Sequence, residues 1–165
     1  MQLPLSVRQI NFAGVAVCAG MMAFALYSQH VDGLDPCPLC IFQRIAVIGL
    51  GFVFLAGLIH NARTWGRYVY ALLFLVAGGF GVAVAGRHVW IQNLPPDQVP
   101  ECGPGLEYML DSFPLAETLK MVFVGSGECA EVVWQFLGLS MPAWVLIWCV
   151  ILGLGGALNS LRKSF

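Results

Sequence analysis

The sequence predicts an all-α membrane protein, a four-helix transmembrane bundle with a long outer loop that carries a short interfacial helix. Three observations lead there. The 165 residues are 59% hydrophobic and only 10% charged, whereas a soluble domain carries about 25% charged residues. Four uncharged apolar stretches approach the length of about 20 residues that crosses a hydrocarbon core of about 30 Å. None of the four alternates apolar with polar at period two, as a membrane strand does. Lipid offers no partner to a backbone N–H or C=O, so each stretch must close its hydrogen bonds within a helix. The whole chain, 1–165, reads as one membrane domain.

The first uncharged run is Ile10 to Ser28, giving a span over 10–28. Arg8 and the Ala23-Phe24-Ala25 triplet imitate a cleavable leader, but the run exceeds the 7–15 residues of a leader's apolar region, so the segment is expected to remain as a helix. The second is Ile45 to Ile59, extended back through Ile41 past Arg44 to give a span over 41–60. The third, Tyr68 to Gly86, gives a span over 68–89, and the fourth, Ala143 to Leu161, a span over 143–161. Two loops remain on one side, 29–40 and 92–142. Glycines such as Gly78, Gly79 and Gly81 within a span suit close helix approach. They form no nucleotide loop, because no soluble helix and acidic partner follow them.

Charge orients the bundle. Arg8, Arg63, Arg67, Arg162 and Lys163 lie in the tails and the short link between spans two and three, without any acid. All nine acids, from Asp32 to Glu131, fall in the two loops on the other side. The positive-inside rule puts both termini in the cytoplasm and both loops outside. Trp90, Trp134 and Trp144 sit near the outer boundary, as interfacial aromatics or as packing. A net charge of −1 and a uniformly apolar chain exclude a nucleic-acid footprint and leave lipid as the bulk partner.

Of the six cysteines, Cys18 and Cys149 lie inside spans and read as small buried hydrophobes. Cys37, Cys40, Cys102 and Cys129 all fall on the outer side, where disulfides persist. Cys37-Pro38-Leu39-Cys40 is a C-x-x-C at the mouth of span two. Pro38 suits a first helical turn, which sets both sulfurs at the positive end of a helix dipole and favours thiolate. A bridge across so small a loop gains little stability, so redox use is the stronger reading than a structural staple. The βαβ context of a thioredoxin is absent. Zinc wants about four ligands at closer spacing than Cys102 and Cys129 offer, so no metal is expected, although His30 and His88 are potential ligands. Cys102 and Cys129, flanked by Pro and Gly, fit either a structural bridge or an exchanging pair. Between them Leu115, Leu119, Val122 and Phe123 recur at helical spacing, which predicts an interfacial or loop-packed helix over 114–124. Arg44 stands one turn below Cys40 on the same face. A cation at that depth is functional or snorkels to the interface. Arg87, closer to the boundary, reads as snorkelling, and His60 as structural.

Taken together, four spans, the outer C-x-x-C, Arg44 four residues on and a second outer cysteine pair resemble the disulfide bond formation protein B (DsbB) family. The runs Phe123-Val-Gly-Ser-Gly-Glu-Cys129 and Trp134-Gln-Phe-Leu-Gly-Leu-Ser-Met-Pro142 resemble its second-loop signature. The resemblance covers essentially the whole chain. It implies an inner-membrane thiol oxidase that re-oxidises a periplasmic thioredoxin-like dithiol protein of the DsbA type and passes the electrons to quinone, ubiquinone or menaquinone. It implies that Cys102 forms the mixed disulfide with that partner, that Cys129 is its disulfide mate, and that Cys37 and Cys40 carry electrons onward. It further implies that Arg44 and His88 sit beside the quinone next to Cys40. Gln43 stands where well-known members carry an acid. A paralogue with another dedicated thiol partner shares these features, and a metal-handling or non-catalytic tetraspan protein is the competing class.

Overall fold

The computed structural model describes residues 6–60, 64–100 and 106–162. Four long helices dominate it: α1 (Val7–His30), α2 (Pro38–His60), α3 (Gly66–Gln92) and, after two short helices, α6 (Met141–Leu161). Each is long and apolar enough to cross a membrane. All four outrun the uncharged stretches that announce them, because a helix continues through polar and charged residues at its ends. At the start of α1 the Ser6 hydroxyl accepts from the Gln9 N–H while the Gln9 side chain accepts from the Ser6 N–H, which satisfies two of the orphan donors of a helix start.

The helices pack in the order α1, α2, α3, α6, with α3 and α6 in the longest contact. Small residues permit it. Gly78 and Gly153 face each other so closely that a Cβ built on Gly78 would lie 2.8 Å from the Gly153 Cα. Gly14 and Gly156 leave room for the rings of Phe54 and Phe74, whose centroids are 4.4 Å apart at the centre of the bundle. Cys18 and Cys149 belong to this core, and both are buried. The opposite faces are apolar and bare: Phe52, Ile59, Leu72, Val76 and Leu158 are exposed, as lipid-facing side chains are.

Between α3 and α6 the chain makes a 3-10 turn (Pro96–Gln98), α4 (Leu106–Ser112), α5 (Leu115–Val124), a second 3-10 turn (Gly127–Cys129) and a two-stranded hairpin of β1 (Gln135–Phe136) and β2 (Leu139–Ser140). The predicted loop helix is α5, and one face of it packs against the rest of the loop. Thr118 and Val122 are buried, with the Thr118 hydroxyl donating to the Met109 carbonyl of α4, while Leu115 and Phe123 remain exposed. Leu137 and Gly138 form the hairpin turn with φ of 52° and 77°, the left-handed pair that a two-residue primed turn demands. Trp134, Phe136 and Trp144 stack beside it, and the Trp144 Nε1–H donates to the Phe136 carbonyl.

Backbone against backbone cannot relax by turning a side chain. Gly78→Ala is therefore expected to destabilise the bundle by about 1–3 kcal/mol. Gly79→Ala, whose new methyl meets nothing within 4 Å, should leave stability within about 0.5 kcal/mol. Thermal unfolding in detergent micelles compares the two.

Candidate functional site

Two neighbouring prolines and a helix start set the site. The chain is kept out of helix until Pro38, the first residue of α2. Cys37 stands just before it as the cap: its carbonyl accepts from the Ile41 N–H at 3.2 Å and its sulfur from the Cys40 N–H at 3.4 Å. That turn places the Cys37 and Cys40 sulfurs 2.9 Å apart. Cys37 is buried and Cys40 half-buried.

The next turn of α2 divides in two directions. Gln43, buried, faces α3, where its Nε2 lies 2.8 Å from Nδ1 of His88. The other ring nitrogen of His88 lies 3.9 Å from the Cys37 sulfur. Arg44 turns instead to α1, donating from Nη1 to the Gln29 Oε1 at 2.5 Å and from Nη2 to the Ala25 carbonyl at 3.1 Å. His88 thus stands on the Cys37 side of the site, while Arg44 stands below Cys40.

Cys129 arrives from the other end of the sequence. Its carrier, the segment after α5, is fixed by Arg87 of α3. The Arg87 Nε and Nη2 donate to the carbonyls of Phe123 and Val124 at the C-terminus of α5, and the guanidinium stacks 4.2 Å over Trp90. Arg87 therefore caps a helix rather than only snorkelling to the interface, a contact that no local pattern announces. Gly125 turns the chain at φ 88°, with Ile91 packed where a side chain would project. The 3-10 turn that follows buries Cys129 completely. Its sulfur, the Cys37 sulfur and a ring nitrogen of His88 all lie within 4.8 Å of one another. The neighbouring Cys37 and burial hold the Cys129 thiol well above the ordinary thiol range. Cys102 lies outside the described residues.

Two cavities open beside this cluster, and both reach Cys40. One, about 650 Å³ including its open mouth, is walled by α1, α2 and α6 and is mostly apolar, with Met21, Met22, Val47 and Val145 around Cys40 and Arg44. Ser28 lines it too, and its buried hydroxyl has no hydrogen-bond partner among the described residues. The other, about 780 Å³ on the same measure, is more polar and holds Cys37, Cys40, His88, Gln92, Glu128 and Glu131. Cys40 lines both cavities, Arg44 only the first, and Cys37 and His88 only the second. Sequence reasoning singled out neither Ser28 nor a Gln43–His88 pair. Gln43 had one signal, a polar residue one helical turn beyond Cys40.

The sequence is similar to those of known proteins. Residues 7–158 match the family model described as Disulfide bond formation protein DsbB. The chain is 57% identical over 149 residues to a disulfide bond formation protein B of Nitrosococcus oceani, covering 90% of this chain and 88% of that one. It is 54% identical over 155 residues to the Methylococcus capsulatus protein of the same name, covering 94% and 93%. It is 50% identical over 151 residues to the one from Acinetobacter baumannii, covering 90% and 87%.

A raised thiol gives a direct readout. Below its shifted titration Cys129 is protonated and a poor nucleophile, and its reactivity rises only as pH climbs past the ordinary thiol range. In the fully reduced, detergent-solubilised protein, Cys129 should be alkylated by iodoacetamide more slowly at neutral pH than a free thiol. Cys37→Ala should move its pH profile down, and peptide mass spectrometry of timed quenches reads both.

Proposed function

The chain belongs to the disulfide bond formation protein B family, a family of multi-pass membrane disulfide oxidoreductases, and from that premise we propose that it oxidises a soluble dithiol protein and delivers the electrons to membrane quinone. The observation that carries the reading is the position of Cys40, whose surroundings face a polar cavity on one side and an apolar, helix-walled cavity on the other. A protein dithiol lives in water and a quinone in lipid, so a relay between them needs such a sulfur.

Two disulfides in series make the relay. A thiolate of the reduced partner attacks Cys102 of a Cys102–Cys129 disulfide and releases Cys129. The partner's second thiolate resolves that mixed disulfide, so the partner leaves oxidised and both loop cysteines are reduced. Cys129 then attacks Cys37 of a Cys37–Cys40 disulfide, forming a Cys129–Cys37 bond and releasing the Cys40 thiolate. Attack by Cys102 on Cys129 restores the loop disulfide and frees Cys37. Cys37 and Cys40 then re-form their disulfide, and a quinone bound beside Cys40 would take up the electron pair that leaves through Cys40, with two protons balancing it. The contact of Cys129 with Cys37 supports the inter-pair step.

The apolar cavity suits a quinone ring on this structure's own terms. Its wall is apolar, and the polar groups it offers include donors for a carbonyl oxygen, the Arg44 guanidinium and the unpartnered Ser28 hydroxyl. A quinone supplies a two-electron acceptor there; ubiquinone and menaquinone share the carbonyl pair these donors would meet. Arg44 holds positive charge where negative charge develops on Cys40 and on the acceptor oxygen. His88, beside Cys37, steadies the Cys37 thiolate through its ring N–H while Gln43 holds the ring. The membrane is the bacterial inner membrane, with both termini cytoplasmic, the cysteine end periplasmic and a DsbA-type protein as donor. Arg8, Arg67 and Arg162 at the far end, against Asp35, Glu128 and Glu131 at the cysteine end, support this orientation.

Quinone absorbance tests the reading, with a reduced thioredoxin-like periplasmic protein as donor. The wild type should consume quinone, and Cys40→Ser should abolish consumption. Arg44→Met should raise the quinone concentration needed by about 10-fold or more, the loss of a charged hydrogen bond. Quinone consumption by Cys40→Ser at the wild-type rate would sink the proposal.

A further inference from the structure

Three soft or borderline ligand groups converge where the relay passes from one cysteine pair to the other: the sulfurs of Cys37 and Cys129 and a ring nitrogen of His88. The geometry points to a binding site for a thiophilic d10 cation, Zn²⁺ or Cd²⁺, that exists only while Cys37 and Cys129 are both reduced.

The distances suit the ion. Zinc sits about 2.3 Å from sulfur and about 2.0–2.1 Å from an imidazole nitrogen, so a tetrahedral site spaces sulfur from nitrogen by about 3.6 Å and sulfur from sulfur by about 3.8 Å. The Cys37 sulfur stands 3.9 Å from the His88 Nε2, and all three ligand atoms fall within 4.8 Å. Small rotations about the cysteine χ1 angles close the difference. Cys40, 2.9 Å from Cys37, is too near that sulfur to share the ion without turning away. The fourth position therefore falls to water or a carboxylate in the polar cavity, which Glu128 and Glu131 line.

The surroundings also meet the needs of a metal. Ligating histidine requires its other nitrogen to be held by a partner. Gln43 does this and can do it both ways. With its amide N–H on Nδ1, as in the structure, the ring proton sits on Nε2 facing Cys37. With the amide turned, the Gln43 oxygen accepts from Nδ1–H and frees the Nε2 lone pair for a cation. The polar cavity gives an entry path, and Asp35, Glu128 and Glu131 on its wall attract a cation. Binding displaces two protons, one from each thiol, and changes no oxidation state. Any disulfide that includes Cys37 or Cys129 removes a ligand, so the site tracks the redox state of the relay. Occupied, it holds both sulfurs out of exchange.

The test uses full-length protein in detergent, reduced with a phosphine, without quinone or protein partner, and titrated with Cd²⁺. The thiolate-to-cadmium absorption should rise to saturation at one ion per chain. It should be absent from the oxidised protein. Cys129→Ser and His88→Ala should each weaken binding by at least 10-fold, and Gln43→Leu by about 10–100-fold, as loss of a partner behind a ligand does. The Cys18→Ser/Cys149→Ser double variant should bind as the wild type does. Failure of the reduced wild type to saturate, or retention of wild-type affinity in Cys129→Ser or His88→Ala, overturns the site. The readout involves no electron transfer, so its failure leaves the thiol-oxidase reading standing, and failure of quinone reduction leaves this site standing.

Discussion

Hydrocarbon cannot hydrogen-bond, and that single constraint distributes everything polar in this chain. Along α1, α2, α3 and α6 the backbone satisfies itself, and the helices meet through glycine and apolar side chains. Polar side chains are then confined to the two ends. At the end away from the cysteines, Asn159 donates to the Val7 carbonyl and the Asn11 Oδ1, tying α6 to α1. At the other end lies the chemistry. A helix start carries N–H groups that no carbonyl of its own helix can reach, and the Cys37 sulfur occupies one of them. The redox motif is thus also the cap of its helix.

A second dependence follows from the first. The sulfur of Cys129 is more than 90 positions from Cys37 in sequence, and its approach relies on the docking of α5 across the ends of α2 and α3. Carbonyls at the end of a short helix near lipid need donors, and Arg87 provides two while covering Trp90. Leu39, Val84, Ile91, Met109 and Val122 fill the space beneath, forming an apolar cluster in which Cys37 and Cys129 are both embedded. The two sulfurs meet at the edge of a packed core, with Cys37 bordering the polar cavity.

Sequence made the bundle legible because hydropathy over long segments is a local signal, as Tyr68 to Gly86 shows. The start of α2 was legible from Pro38, and α5 from the spacing of Leu115, Leu119 and Val122. What sequence concealed was short or long-range. Leu106–Ser112 has seven residues, too few for a period to show. The hairpin turn uses Leu137 at positive φ, where a turn signal normally reads Asn or Gly. His88 could be placed near the site by depth alone, but its choice between Cys37 and the Arg44 cavity depends on the rotation of α3. The pairing with Gln43 across 45 positions has the same origin. The convergence of Cys37, Cys129 and His88 was hidden because chain spacing says nothing about side chains drawn from three separate segments.

The thiol of Cys129, raised beside Cys37, is tied to the redox state of the next pair. Its first cause is the Cys37 sulfur beside it, and burial adds to that. When Cys37 is bonded to Cys40 it has no thiol proton and no charge, so the larger cause disappears and Cys129 ionises more readily. Cys129 is then a better nucleophile toward the very disulfide it must open. When Cys37 is reduced there is no Cys37–Cys40 disulfide for Cys129 to open, so the step waits until electrons have left through Cys40. The same few ångströms between two sulfurs therefore make the transfer possible and keep it waiting on the state of the next pair.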